Sequence, residues 1–259
     1  MERPIFLLGT QRSGTTLLRL ILDSHGRIAI GHESGFMRAV EATKNLPDYI
    51  YGQGWYRRFG LDDGNMNSRL QDFYSGIFGH YAWSRGKSRW GEKTPDNILL
   101  LGELDAIFPR AQFVCMVRQP GAVVASLMRW NWDFEMALAY WIRANTIARH
   151  AAERMPPDKW YLVRYEDLVR EPEDVMRGVL DYLGEVWDAN VLRHHEVHSA
   201  QSGGIEVEGD NRDDRPIEVS RVDAWRDELS TDQIARIGAE TASLCDYFGS
   251  FWVAERRGS

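Results

Sequence analysis

The chain has 259 residues, 44% of them apolar and 12% aromatic, and carries a formal net charge of -7. That length suits one α/β unit with a sizeable core. The acidic balance excludes non-specific binding to nucleic acid or to an anionic membrane, which needs a basic face. Two cysteines are too few for a disulfide framework, and no uncharged run approaches the ~20 residues needed to cross a bilayer. Glu2 and Arg3 lead straight into an apolar run, not into a signal peptide, so a cytoplasmic setting is expected.

Ile5–Leu8 predicts a short buried strand that runs into Gly9-Thr-Gln-Arg-Ser-Gly-Thr-Thr16, with a helix opening at Leu17 and running to Ser24. This almost spells the phosphate loop G-x-x-x-x-G-K-[ST], whose lysine reaches the outer phosphates and whose hydroxyl holds Mg²⁺. Thr15 stands where that lysine would be, and the nearest strong cation is Arg12, inside the loop. The backbone cradle survives, because successive N–H groups and the helix N-terminus still point at an anion. The loop therefore predicts a nucleotide-like anion other than ATP.

Residues 36–86 predict a mainly helical insert, broken at Pro47-Asp48 and around Leu61–Asn65. Its rings, from Trp55 to Trp83, are expected to be mostly core, with a few lining an acceptor pocket. Arg89–Glu92 reads as a short strand and Ile98–Phe108 as a helix capped by Thr94 or Asp96. Gln112–Val117 is a continuous apolar run of strand length, with Cys115 expected as an inert buried thiol. A nucleotide-hydrolysing enzyme would end that strand in an acidic residue for Mg²⁺. This one meets Arg118, and Ser126 lies eight residues on, in a helix over Ala122–Arg129. An arginine and a hydroxyl at that place suit a second, fixed phosphate rather than a metal.

A long helix over Glu135–Met155 is stopped by Pro156-Pro157, followed by a strand at Trp160–Arg164 and a helix at Pro172–Leu183. Strands alternating with helices imply a parallel sheet covered on both faces, an α/β three-layer sandwich. No linker divides the chain, so residues 1–259 are expected to be one domain, with the polar, Gly-rich stretch 198–219 a candidate lid.

These motifs, in this order, resemble the sulfotransferases that use 3′-phosphoadenosine-5′-phosphosulfate (PAPS). Thr10-Gln-Arg-Ser-Gly-Thr-Thr16 is similar to their 5′-phosphosulfate loop, which implies that Arg12, Ser13, Gly14, Thr15 and Thr16 hold that group. Arg118 and Ser126 are similar to their 3′-phosphate site, and Leu162-Val-Arg-Tyr-Glu-Asp-Leu168 to a segment whose tyrosine, here Tyr165, lies beside the adenine. Val219–Leu229 resembles a C-terminal segment that closes over the nucleotide, which implies roles for Ser220 and Arg221. The resemblance spans residue 4 to about residue 185 and implies a fold like that of P-loop-containing nucleoside triphosphate hydrolases. The motifs are most similar to those of the tyrosylprotein and bacterial enzymes, and an arginine in the loop is shared with the tyrosylprotein ones. By that likeness Glu33, in Gly31-His-Glu-Ser34, is the catalytic base with His32 its neighbour, and Trp90-Gly-Glu-Lys-Thr-Pro95 supplies Lys93 to the bridging oxygen.

Sulfuryl transfer, like phosphoryl transfer, passes through a loose in-line transition state with charge growing on the leaving oxygen. The acceptor hydroxyl needs a base, and the leaving group needs cations and N–H donors. Glu33, and Arg12 with Lys93, fill those roles without a metal. The expected activity is transfer from PAPS to a hydroxyl of a small-molecule, lipid or glycan acceptor. A P-loop small-molecule kinase and a noncatalytic nucleotide-binding module are the alternatives. Individual residues also have plainer readings. Glu33 and His32 could cap the next helix, and Lys93 could form an exposed ion pair with Glu92. Glu166 and Asp167 could brace the fold, and Tyr165 could be core. His194, His195 and His198 lack a recognised ligand spacing and read as solvated helix-end residues.

Overall fold

The computed structural model describes residues 3–46, 48–201, 217 and 222–249. In chain order, β1 (Ile5–Gly9) leads through the loop into α1 (Thr15–Asp23), then β2 (Ile28–Ile30) and α2 (Phe36–Lys44). A 3₁₀ turn at Trp55–Phe59 precedes α3 (Asp63–Ser84), β3 (Arg89–Lys93), a second 3₁₀ turn at Pro95–Leu100, and α4 (Leu101–Ile107). Next come β4 (Gln112–Val117), α5 (Pro120–Met128), α6 (Phe134–Arg154), β5 (Trp160–Arg164), α7 (Tyr165–Arg170) and α8 (Pro172–Leu183). A 3₁₀ turn at Ala189–Arg193 enters α9 (His194–Gln201), and Ala224–Asp227 forms another before α10 (Thr231–Tyr247).

The five strands form one sheet in the order β2-β3-β1-β4-β5, and every neighbouring pair is parallel. Successive residues of a strand face opposite sides, and here both sides are apolar. Phe6 and Leu8 of β1 join Phe113 and Cys115 of β4 in a core with α2, α3, α4, α5, α6 and α10. Ile5 and Leu7 face the other way, with Val114 and Met116, onto α1, α7 and α8. Helices thus cover both faces, and the α/β three-layer architecture stands. Phe6 is the hub of the first core, its ring 5.0 Å from Phe108 and 5.8 to 6.0 Å from Phe36, Trp90 and Phe113.

The long helices start where the sequence offers caps. Asp62 accepts from Asn65 N–H ahead of α3, Asp133 from Met136 N–H ahead of α6, and Ser230 forms a reciprocal capping box with Gln233 ahead of α10.

Several expectations change. The helix expected over Ile98–Phe108 is a 3₁₀ turn followed by the shorter α4. Thr94 and Asp96 do not cap it: Thr94 donates to Glu92, and Asp96 accepts from Gln11 and Tyr140. His194 and His198 are buried, not solvated, with His198 Nε2 3.0 Å from the carbonyl of Leu20 in α1. Most of the expected lid at 198–219, with Ser220 and Arg221, lies outside the described residues.

Candidate active site

Each strand of the sheet delivers a residue to the same edge. The loop follows β1, Glu33 follows β2, Lys93 ends β3, Arg118 follows β4 and Tyr165 follows β5. The carboxyl ends of parallel strands are where ligands of open α/β sheets bind. A cavity of about 770 Å³ opens there, and Arg12, Thr16, Glu33, Arg118, Ser126 and Tyr165 are on its wall.

The loop is shaped by two left-handed residues, Arg12 at φ 67° and Gly14 at φ 101°. Gly14 must lack a side chain, because a Cβ there would stand 2.4 Å from Cδ2 of Tyr165. No side chain caps α1, so the N–H groups of its first turn remain directed at the cavity end. Arg12 donates from Nε to Ser126 Oγ at 3.0 Å and lies over the Trp130 ring at 4.9 Å. Arg118 donates to the carbonyl of Arg12 at 3.1 Å, and its guanidinium stacks on Tyr165 at 4.1 Å. The residues expected at two separate phosphates therefore form one continuous cationic wall. Ser13 departs from expectation: it is buried, and its hydroxyl donates back to the carbonyl of Thr10 at 2.7 Å instead of facing the cavity.

At the other end of the loop, Lys93 Nζ lies 2.5 Å from Glu33 Oε1 and donates to Thr16 Oγ1 at 3.2 Å. The lysine side chain is 3% exposed and the glutamate 51%, so a buried ammonium holds a carboxylate that reaches the opening. Lys93 does not form the alternative ion pair with Glu92: neighbours in β3 point to opposite sides, and Glu92 is buried among Ser34, Thr94 and Asn97. His32 is exposed and takes no place on the cavity wall.

Other residues shape the site without a sequence signal. Tyr140, from the middle of α6, accepts the Gln11 N–H at 2.8 Å and donates to Asp96 at 2.5 Å. The Gln11 side chain donates to the same carboxylate at 2.7 Å. Glu166 accepts the Gln119 N–H at 3.1 Å and braces the start of α5. Gln119 in turn donates to the carbonyl of Val222 at 2.8 Å, and Trp225 packs against Gly121, where a Cβ would come within 2.3 Å of the ring. This brings Trp225 and Glu228 onto the cavity wall beside Trp130 and Trp132. None of residues 36–86 lies on that wall. Within the insert Tyr56 is buried, Tyr74, Phe78 and Tyr81 pack on the core, and Phe59, Phe73 and Trp83 are exposed.

The profile of the sulfotransferase family matches residues 4–189. Protein-tyrosine sulfotransferase 1 of Danio rerio is 28% identical over 246 residues, 88% of this chain and 67% of its own length. The protein-tyrosine sulfotransferase of Drosophila melanogaster is 25% identical over 258 residues, 95% of this chain and 51% of its own, so the chain spans half to two thirds of these relatives. Among solved structures, the sulfotransferase domain of the Synechococcus PCC 7002 olefin synthase superposes with a TM-score of 0.68 at 22% identity, covering 95% of this chain and 94% of that one. That likeness supports the fold. The family profile covers well over half of the chain and includes the loop, Glu33, Lys93, Arg118 and Ser126, and by it this chain belongs to the sulfotransferase family.

Proposed function

We propose that the chain moves the sulfuryl group of PAPS to a hydroxyl acceptor by in-line displacement, with Glu33 as general base. The observation that carries this reading is the contact series Glu33–Lys93–Thr16, which joins a half-exposed carboxylate to the anion-binding loop through a buried ammonium. In this reading the loop and the open N–H groups of α1 hold the 5′-phosphosulfate, Arg118 and Ser126 the 3′-phosphate, and Tyr165 the adenine. The S–O bond to the leaving phosphate breaks as a new S–O bond forms to the acceptor oxygen. The acceptor proton passes to Glu33, while Lys93 and Arg12 receive the charge that grows on the leaving oxygen. Glu33 is free at its outer edge to turn from the ammonium toward an entering hydroxyl, which lets Lys93 turn toward the bridging oxygen.

Trp130, Trp132 and Pro95 give the cavity an apolar rim, which suits a neutral alcohol or phenol of a small molecule, lipid or glycan. The names of the relatives add the phenol of a peptide tyrosine to the acceptors worth assaying. The test is transfer from labelled PAPS to a panel of these acceptors by the wild type and Glu33→Gln. Loss of a general base is expected to lower transfer about 10²- to 10⁴-fold. Affinity for 3′-phosphoadenosine-5′-phosphate (PAP) should stay within about threefold, less than ~1 kcal/mol. Undiminished transfer by the variant removes Glu33 from the role. Tight PAP binding with no transfer by the wild type to any acceptor would favour a noncatalytic module.

A further inference from the structure

Glu92 takes no step in the proposed reaction, yet its carboxyl group is the most heavily bonded acid beside the site. It is 2% exposed and accepts from the Ser34 hydroxyl at 2.7 Å, Ser34 N–H at 3.4 Å, the Thr94 hydroxyl at 2.6 Å and the Asn97 amide at 2.9 Å. Burial pushes its pKa up, and the bonds from Thr94 and Ser34 pull against that shift. Thr94 Oγ1 also accepts the Gly35 N–H at 3.1 Å. These donors flank the reacting pair, since Ser34 and Gly35 follow Glu33 in the chain and Thr94 follows Lys93. Gly35, at φ 61°, precedes α2 and has no side chain to cap it, and the Ser34 hydroxyl accepts the Phe36 N–H at 3.3 Å. The N–H groups of Ser34 and Gly35 go instead to Glu92 and Thr94, at the end of β3.

We propose that Glu92 is a positioning residue for the transfer reaction: it fastens the turn that carries Glu33 to the strand end that carries Lys93, and so sets their separation. This rests on the reading of Glu33 and Lys93 as the reacting pair. The bonds from Ser34 and Thr94 all end on Oε1 of Glu92, so a glutamine oxygen could keep them, whereas a leucine in its place has no acceptor and removes the tie.

The experiment is a crystal structure and steady-state kinetics of the full chain carrying Glu92→Leu. The expected result is a Glu33–Lys93 separation beyond the ~4 Å of an ion pair, with the loop unmoved. Turnover should fall at least about tenfold while the KM for PAPS stays within about threefold, the signature of a lost transition-state contact. If Glu92→Leu does not fold, Thr94→Val and Thr94→Ser make the same test. Valine removes the bridging hydroxyl and should part the pair, and serine restores it and should behave as wild type. An ion pair retained in Glu92→Leu or Thr94→Val overturns the proposal. So does a parted pair with unchanged turnover, or a loss of turnover that merely follows a loss of PAP binding. The crystallographic arm does not need activity. A wild type that transfers nothing from PAPS sinks the proposed function, while the Glu33–Lys93 separation in the variant still decides the part played by Glu92.

Discussion

Glu166 shows what a buried acid costs beside an anion site. Its carboxyl group is 2% exposed at the first turn of α7 and accepts the Gln119 N–H at 3.1 Å. Burial pushes its pKa up, and this outweighs the opposing pull of that bond and of Arg118 and Arg164. The folded state therefore holds the proton more tightly than the unfolded chain does. The contribution to stability is greatest below the ordinary glutamate value and is lost as pH rises through the raised one. Glu166→Gln keeps an oxygen for Gln119 and removes the titration. Its melting temperature relative to wild type is expected to climb as pH rises above about 4, near the ordinary glutamate value. Parallel curves for the two proteins would show that this carboxyl group does not set the slope. At this scale the sequence was legible for chemistry and poor for pairing. Lys93 and Glu92 are neighbours in the chain and invite a pairing, but strand alternation parts them, and the partner of Lys93 lies at Glu33, across the crossover that joins β2 to β3.

The loop between β1 and α1 was legible as an element, because glycine spacing between a strand and a helix is a local property. What holds it was not. Tyr140 lies on a helix whose periodicity shows which face is buried, and periodicity names no partner. In the structure its hydroxyl takes the Gln11 N–H and gives its own proton to Asp96, next to the left-handed Arg12. Burial and the Asp96 carboxylate push the phenol pKa up, so it remains neutral and keeps both bonds. Tyr140→Phe leaves the packing of α6 in place and strands the Gln11 N–H, a loss of about 1–3 kcal/mol when a buried donor goes unpaired. If part of that falls on the loop, PAP affinity should drop about three- to tenfold, or roughly 0.7–1.4 kcal/mol, by calorimetry. Affinity equal to wild type would show that the loop holds its shape without this clamp.

For the whole molecule, the order β2-β3-β1-β4-β5 places the phosphate loop at the centre of the sheet, and the other strands bring their ends to it. Alternating strands and helices made the three layers legible, since both faces of each central strand are apolar. β2 is three residues long, too short to leave a pattern, and it went unseen although Glu33 depends on where it ends. The convergence of all five strand ends predicts how the intact chain responds to nucleotides. A phosphate-loop kinase binds ATP through its loop lysine and Mg²⁺, whereas here Thr15 replaces the lysine and Arg118 follows β4 where an acid would hold the metal. A ligand present at about 100 times its dissociation constant adds ~2.7 kcal/mol of stability, which in a chain of this size raises the melting temperature by roughly 5–10 °C. PAP is expected to give such a rise equally with and without EDTA, and ATP with Mg²⁺ to give little or none. A rise with ATP and Mg²⁺ that EDTA abolishes, and none with PAP, would mean that the arginines on the cavity wall do not read a 3′-phosphate, and would return the kinase to first place.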